Sequence, residues 1–400
     1  MSTPFGGPPR ILPVAAPGHV VDQVQSGLGQ PAVRPRRRSL VAFGAVAISV
    51  LALVLLLTGA LVVSLLGPVA AGVGGVLALI PLAIVLAGVS WIDRWEPEPR
   101  GILVFCVLWG AGVAVLIALV VEGGVDSALL AATGASDVAD LVGSVVGAPV
   151  IEEVGKGLGV LLVFLVARRH LDSPVDGVVY AAWVAGGFAF TENIVYFGSE
   201  VLDGGVGSDL LYVFFVRGLM SPFAHVIFTA MTGLALGLAA QRGRVGLGLV
   251  AFVVGLIPAI ALHALWNGAL YVVPSFFGYY AVVQIPIFVG GVLLVVYLRT
   301  QEARLTYRRL SEYAAAGWFS PGEVTSLATG SGRRQARAWA RARGLGSVMR
   351  RYTRDATRLA FTRQRIVTGR DAVGAEVDEQ ALLASIVSER AVLQEALRRG

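Results

Sequence analysis

The sequence predicts an all-α, polytopic membrane protein: a bundle of about eight transmembrane helices followed by a small helical cytoplasmic C-terminal domain. Three observations predict it. Of the 400 residues, 56% are hydrophobic and 14% are charged, where soluble domains carry about 25% charged residues. Apolar runs recur at roughly the 20-residue length that a bilayer crossing requires. The chain has 50 Gly residues, many of them within those runs, which suits helices packed closely in lipid. The lone cysteine, Cys106, lies in an apolar run, which excludes a disulfide framework and argues against thiol chemistry.

Residues 1–39 are rich in Pro and Gly and end in "RPRRRS", so they read as a disordered basic leader. The apolar run that follows is too long and too far from Met1 for a cleaved signal peptide. Spans are expected at 40–66, 68–92, 101–121, 144–167, 176–197, 219–240, 245–272 and 276–298, giving a membrane domain over 40–298. "RPRRRS", "DRWEPEPR", "ARRHLDSPVDG", "QRGRVG" and the tail hold most of the Arg residues, whereas the alternate connections "EGGVDSALLAATGASDVAD" and "GSEVLDGGVGSD" hold none. Positive charge marks the cytoplasmic side, so both termini are expected in the cytoplasm, most naturally of a bacterial cell. As one helix, residues 210–240 would run about 46 Å, too long for a single crossing. Gly218 and Pro222 in "RGLMSP" are therefore expected to break it and leave 209–217 as an interfacial or re-entrant piece.

The tail, 299–400, holds 19 Arg against 10 Asp and Glu. Its Arg residues alternate with acids and Ala, which fits a solvated domain lying against the anionic cytoplasmic leaflet better than a nucleic-acid partner. Within it "FSPGEV" predicts a helix start, with Ser320 as cap, Pro321 in the first turn and Glu323 closing a capping box. Two further helices are expected near 333–367 and 377–398.

The costly residues lie in the spans. "PVIEEVGKGLGVLLVFLV" places Glu152, Glu153 and Lys156 in an apolar run, each at roughly 2.5–3.5 kcal/mol on insertion scales. Of 32 basic residues 31 are Arg, and Lys156 is the single Lys. On the oriented spans Glu152, Glu192, His225 and His263 stand about 22, 24, 22 and 27 Å above the cytoplasmic boundary. Four successive helices thus deliver their most expensive side chains to one layer in the outer third of the membrane. Glu152 with Lys156 and His263 with Asn267 are i,i+4 pairs that share a face. Arg217, Ser221, His225 and Thr229 also step by four if the helix continues through Pro222. Taken singly, Glu153 with Lys156 reads as a structural ion pair, either His as a core histidine, and Asn193 or Asn267 as an interhelical hydrogen bonder. Their convergence points to a functional cluster within about 144–272.

Two carboxylates, two imidazoles, an ammonium and carboxamides can hydrolyse a peptide bond: a carboxylate takes a proton from water, and His and Asn donors stabilise the oxyanion. The same residue types can hold Zn²⁺ through His225, His263 and a Glu. No HExxH helix is present, so a metal-free glutamate site is preferred, with zinc as the alternative.

These motifs resemble the PrsW-type intramembrane proteases, grouped with the CAAX prenyl proteases and bacteriocin-processing enzymes. Glu152-Glu153-Val154-Gly155-Lys156 matches EExxK and Phe188 to Glu192-Asn193 matches FxxxEN. His225 with Thr229 follows, and His263 to Trp266-Asn267 matches HxxWN; "DRWEPEPR" also looks like that family's acidic loop. The resemblance implies cleavage of a membrane-anchored protein near the outer face, with Glu152 as general base supported by Glu153 and Lys156. It implies His263 and Asn267 as the oxyanion pocket, and leaves Glu192 or His225 as the partner that assists the water. Asn193 and Arg217 are supporting candidates. The CAAX branch closes its second motif with His where this chain has Glu192.

Two rival readings use the same layer. A proton- or cation-coupled transporter would show a relay of ionisable groups across the membrane, and the inner halves of these spans are nearly free of charge. A scaffold would hold its bundle together by the polar layer and recruit partners with its tail.

Overall fold

The computed structural model describes residues 38–168, 170–204, 207–242, 245–369 and 372–398. The predicted leader therefore lies outside the described residues up to position 37. All regular elements among the described residues are helical. Two compact units are present, one over Arg38–Val296 and one beginning at Tyr297.

In the first unit, α1 (Arg38–Ile92) is continuous in hydrogen bonding except at Gly67, which adopts φ 77° and ψ 161° ahead of Pro68. Only Gly enters that region without steric penalty. The two halves run back past each other from this point. Leu66 and Ala70 both lie against Gly198, whereas Val85 lies against Gly186. On the other half Thr58 donates to the Gly112 carbonyl, beside the Ala111 backbone that abuts Gly187. The expected spans 40–66 and 68–92 are thus the arms of a helical hairpin.

Helix α2 (Arg100–Thr133) includes a π segment at Trp109–Ala114. It runs twelve residues beyond the predicted end of the third span. The connection expected at 122–143 is a correction, because "SALLAAT" sustains the helix until Gly134 ends it in the left-handed conformation. Next come α3 (Ser136–Val142), a π segment (Gly143–Gly147) and α4 (Ala148–Val166). Helix α5 (Pro174–Leu202) opens with a capping box in which Ser173 and Asp176 satisfy each other's backbone N–H groups. Its N-terminal half is enclosed on all sides, with Val178 to Ala182 buried without interruption, as expected of a helical stretch apolar all round. Helix α6 (Ser208–Val213) and a π segment (Phe214–Met220) end in a turn before α7 (Ala224–Ala240). Pro222 lies in that turn, so the predicted interruption is present and the step-of-four helix through Pro222 is not. Helix α8 (Val245–Val272), α9 (Phe276–Tyr279) with its π segment, and α10 (Ile285–Ala315) follow.

Among the described residues six helices are long and apolar enough to cross a membrane: Val46–Ile92, Arg100–Thr133, Pro174–Leu202, Ser208–Ala240, Gly246–Ala269 and Phe276–Ala315. The α1 hairpin counts once here. Helix α4 is not among them, since its 19 residues carry Glu152, Glu153 and Lys156.

The second unit packs α11 (Pro321–Ala328), α12 (Gly330–Ala342), α13 (Gly346–Val367) and α14 (Ala372–Arg398) around Leu310, Tyr313, Trp318, Tyr352, Leu359 and Leu383. Ser320 and Glu323 form the predicted capping box. The single helix expected over 333–367 is two, parted where Gly344 takes φ 71°.

Candidate active site

Helices α4, α5, α7 and α8 each bring polar side chains to one cluster. On α4, Lys156 Nζ lies 3.1 Å from Glu152 Oε2 and 2.6 Å from Glu153 Oε1. The i,i+4 and i,i+3 spacings put all three on one helix face. Trp109, from the π segment of α2, donates to the Gly155 carbonyl at 3.0 Å and braces that turn of α4. No spacing rule in the sequence pointed to Trp109.

Glu153 is saturated. Beside Lys156, the Thr229 hydroxyl donates to Oε2 at 2.9 Å and His263 Nδ1 stands 3.0 Å from Oε1. Both Glu153 and Lys156 are wholly buried. A buried charge is tolerated only when paired and hydrogen-bonded in this way. Since a carboxylate only accepts, Nδ1 of His263 carries a proton in this arrangement. Its other nitrogen, Nε2, then presents a lone pair in the neutral ring and faces Glu152 Oε2 at 3.8 Å.

His225 is oriented from the opposite side. Its Nε2 lies 2.8 Å from Glu192 Oε2, which leaves Nδ1 to accept from Lys156 Nζ at 3.2 Å. Nδ1 is 4.0 Å from Glu152 Oε2. Glu192 is also held by Arg217 Nη2 at 2.7 Å. Arg217 in turn donates from Nε to Asn193 Oδ1 at 3.3 Å and lies over the Tyr196 ring. Arg217 thus reaches the cluster through Glu192, even though the helix is interrupted between Arg217 and His225.

An aromatic wall encloses these groups. Phe188 sits 4.2 Å from Lys156 Nζ and 5.6 Å from the His225 ring. Phe228 stacks on His263 at 5.0 Å. Phe188 opens the FxxxEN match, whereas nothing in the sequence marks Phe228, since an aromatic in an apolar helix has no distinguishing pattern.

The structure therefore brings Glu152, Glu153, Lys156, Glu192, His225 and His263 together, with Arg217 and Asn193 one step outward. Asn267 is placed differently: its amide donates to the Ser144 carbonyl at 2.9 Å, tying α8 to the π segment that precedes α4. One carboxylate oxygen of Glu152 and one ring nitrogen each of His225 and His263 lie within 4.8 Å of one another, a spacing at which they can hold a metal ion.

A second polar cluster surrounds the loop after α1. Asp93 accepts from the Glu98 N–H at 3.1 Å, and the Tyr180 hydroxyl meets the Glu98 carboxyl. Burial pushes the Asp93 carboxyl up to about 7. Burial, then the neighbouring Asp176, hold Glu98 well above the usual carboxylate range.

Residues 98–291 match the family model described as "PrsW family intramembrane metalloprotease". The chain is similar to "Protease PrsW" of Clostridioides difficile (strain 630), 33% identical over 161 residues that make up 39% of this chain and 62% of the relative. It is also similar to "Protease PrsW" of Geobacillus kaustophilus (strain HTA426), 30% identical over 147 residues, 36% of this chain and 57% of the relative. The chain covers less than two thirds of either relative. No solved structure gives a significant match.

Proposed function

Because residues 98–291 belong to the PrsW family, we propose that the protein is an intramembrane protease hydrolysing a peptide bond of a membrane-anchored protein substrate. In this reading the unit Arg38–Val296 makes eight crossings with both termini in the cytoplasm, and the cut falls near the outer face of a bacterial cytoplasmic membrane. The relatives' names favour this over a coupled transporter.

One observation carries the chemistry: Glu152 Oε2 and His263 Nε2 face each other at 3.8 Å while Glu153 is fully engaged by three donors. Two acceptors at that separation, with no donor assigned between them, suit a water that gives one hydrogen to each. Glu152 is the proposed general base. It takes the proton as the water oxygen attacks the scissile carbonyl, then returns that proton to the leaving nitrogen as the C–N bond breaks. Glu153 fixes the His263 ring and shares the Lys156 ammonium with Glu152. Glu192 acts through His225, whose Nε2 it holds, so the imidazole rather than Glu192 faces the base. For the oxyanion the candidate donor is Asn267, whose amide has a second N–H besides the one given to Ser144. The resemblance implies that role for His263 as well; its ring geometry supports water-holding instead.

The donor set also fits a divalent ion such as Zn²⁺. Glu152, His225 and His263 would hold it, and the far nitrogen of each imidazole meets a carboxylate, as metal-bound histidines usually do. When bound, such an ion supplies Lewis-acid polarisation of water and of the scissile carbonyl. In that form Glu152, His225 and His263 serve as ligands, while Glu153 and Glu192 keep the task of orienting the two imidazoles.

The test uses the purified chain in lipid with a single-span substrate. Glu152→Gln is expected to reduce cleavage by a thousandfold or more. Unchanged cleavage by the Glu152→Gln, Glu153→Gln double variant refutes the assignment. Cleavage that persists after exhaustive chelation selects the metal-free form, and loss that Zn²⁺ restores selects the other.

A further inference from the structure

We infer that the Lys156 ammonium and a divalent metal ion are alternative occupants of the same two donors, Glu152 Oε2 and His225 Nδ1, so that Lys156 limits how tightly this site holds a metal. The inference rests on the metal-assisted form of the proposed function. Its basis is the hydrogen-bond accounting at His225. A neutral imidazole has one N–H and one lone pair. With Nε2 committed to Glu192 at 2.8 Å, the lone pair is on Nδ1, and it is already taken by Lys156 Nζ at 3.2 Å. The oxygen of Glu152 nearest both imidazoles accepts from the same ammonium at 3.1 Å. A metal ion drawing on these donors needs the electron pairs that Lys156 now uses.

Placement makes the exchange feasible without expelling Lys156. Its shortest contact is with Glu153 at 2.6 Å, and Phe188 offers its ring face at 4.2 Å. Neither group belongs to the candidate ligand set. The ammonium can withdraw toward Glu153 and the ring, where ion pairing and a cation–π contact remain, and free Glu152 and His225. His263 needs no such release, because its Nε2 is not engaged by Lys156. A positive charge this close to a divalent ion in a buried site opposes binding strongly, so its removal has a predictable sign. This also accounts for the choice of a slender ammonium here in a chain otherwise written with Arg: a guanidinium has a fixed planar fork and cannot slide between the two arrangements.

The experiment measures Zn²⁺ affinity of the full chain in detergent by competition with a chromophoric chelator, with Co²⁺ absorption reporting coordination. Lys156→Met is expected to bind Zn²⁺ at least tenfold more tightly than wild type, and Lys156→Arg no more tightly than wild type. Because Lys156→Met leaves buried Glu153 without its ammonium partner, a second comparison sets Glu153→Gln, Lys156→Met against Glu153→Gln alone, with the same tenfold gain expected. His225→Ala should weaken binding in every background. Equal or weaker affinity on removing Lys156 overturns the inference. Failure of all these proteins to bind Zn²⁺ or Co²⁺ also overturns it, while leaving hydrolysis by Glu152 to be judged from cleavage by the metal-free protein.

Discussion

Helices α5 and α7 cross where Gly177 meets the Gly233 backbone, and this contact offers a test of the site remote from its chemistry. A methyl group added at Gly233 would stand 2.7 Å from the Ala181 Cβ and would also press on the Gly177 backbone. Carbon atoms settle at about 3.5–4.0 Å, so the helices must part by about 1 Å. Gly233 is eight residues from His225, about 12 Å along α7, and the site's link to α5 is the 2.8 Å contact between His225 and Glu192. Opened by 1 Å, that contact passes beyond hydrogen-bonding range. A 1 Å misplacement can cost about a hundredfold in rate, or about 2.7 kcal/mol. We expect Gly233→Ala to lower kcat for a single-span substrate by about a hundredfold while the protein remains folded in thermal-melt and size-exclusion measurements. Gly124→Ala, where an added methyl meets nothing within 4 Å, serves as control. Wild-type kcat in folded Gly233→Ala refutes the claim that the α5–α7 separation sets the geometry of His225.

Three further outcomes follow from individual contacts. Thr229→Val removes one of three donors to buried Glu153 and is expected to cost about 1–3 kcal/mol, measured as a lower unfolding midpoint with reduced turnover. Arg217→Lys loses the fork that joins Glu192 to Asn193, and kcat should fall about tenfold with little change in KM. For Asp93, a folded pKa of about 7 against an ordinary 3.8 means that folding favours the protonated form. Its contribution is complete below about pH 4 and lost as pH rises through about 7. The melting midpoint of wild type should therefore fall more between pH 5 and pH 8 than that of Asp93→Asn, and equal slopes would remove Asp93 as the cause.

The places where sequence reasoning stopped short have identifiable causes. Hydropathy located the two arms of α1 but not how they meet; the positive φ of Gly67 makes the hairpin, and Gly occurs too often in this chain to mark one turn. The stretch after residue 121 reads as a connection between spans, yet Ala and Leu keep it helical to Thr133. Spacing puts Arg217 on the His225 face only for a helix that continues through Pro222, where the sequence also predicts a break. The turn at Ser221–Phe223 removes that helix, and Arg217 instead reaches the site through Glu192. Asn267 shares the HxxWN motif with His263, but its amide is directed to Ser144.

By itself the sequence determined that the chain is a membrane helix bundle and which helices hold its ionisable groups, and it led to the expectation that those groups share one layer. Hydrophobic length, charge asymmetry and helical rise are local quantities that a single chain displays. Only the tertiary structure decided which oxygen and which nitrogen face each other: Glu153 spent on three donors, Glu152 left facing His263, and Lys156 lodged between Glu152 and His225. Those relations depend on the rotation of four helices about their own axes. Close packing between helices sets that rotation to within about an ångström, and no periodicity along one strand of sequence encodes it.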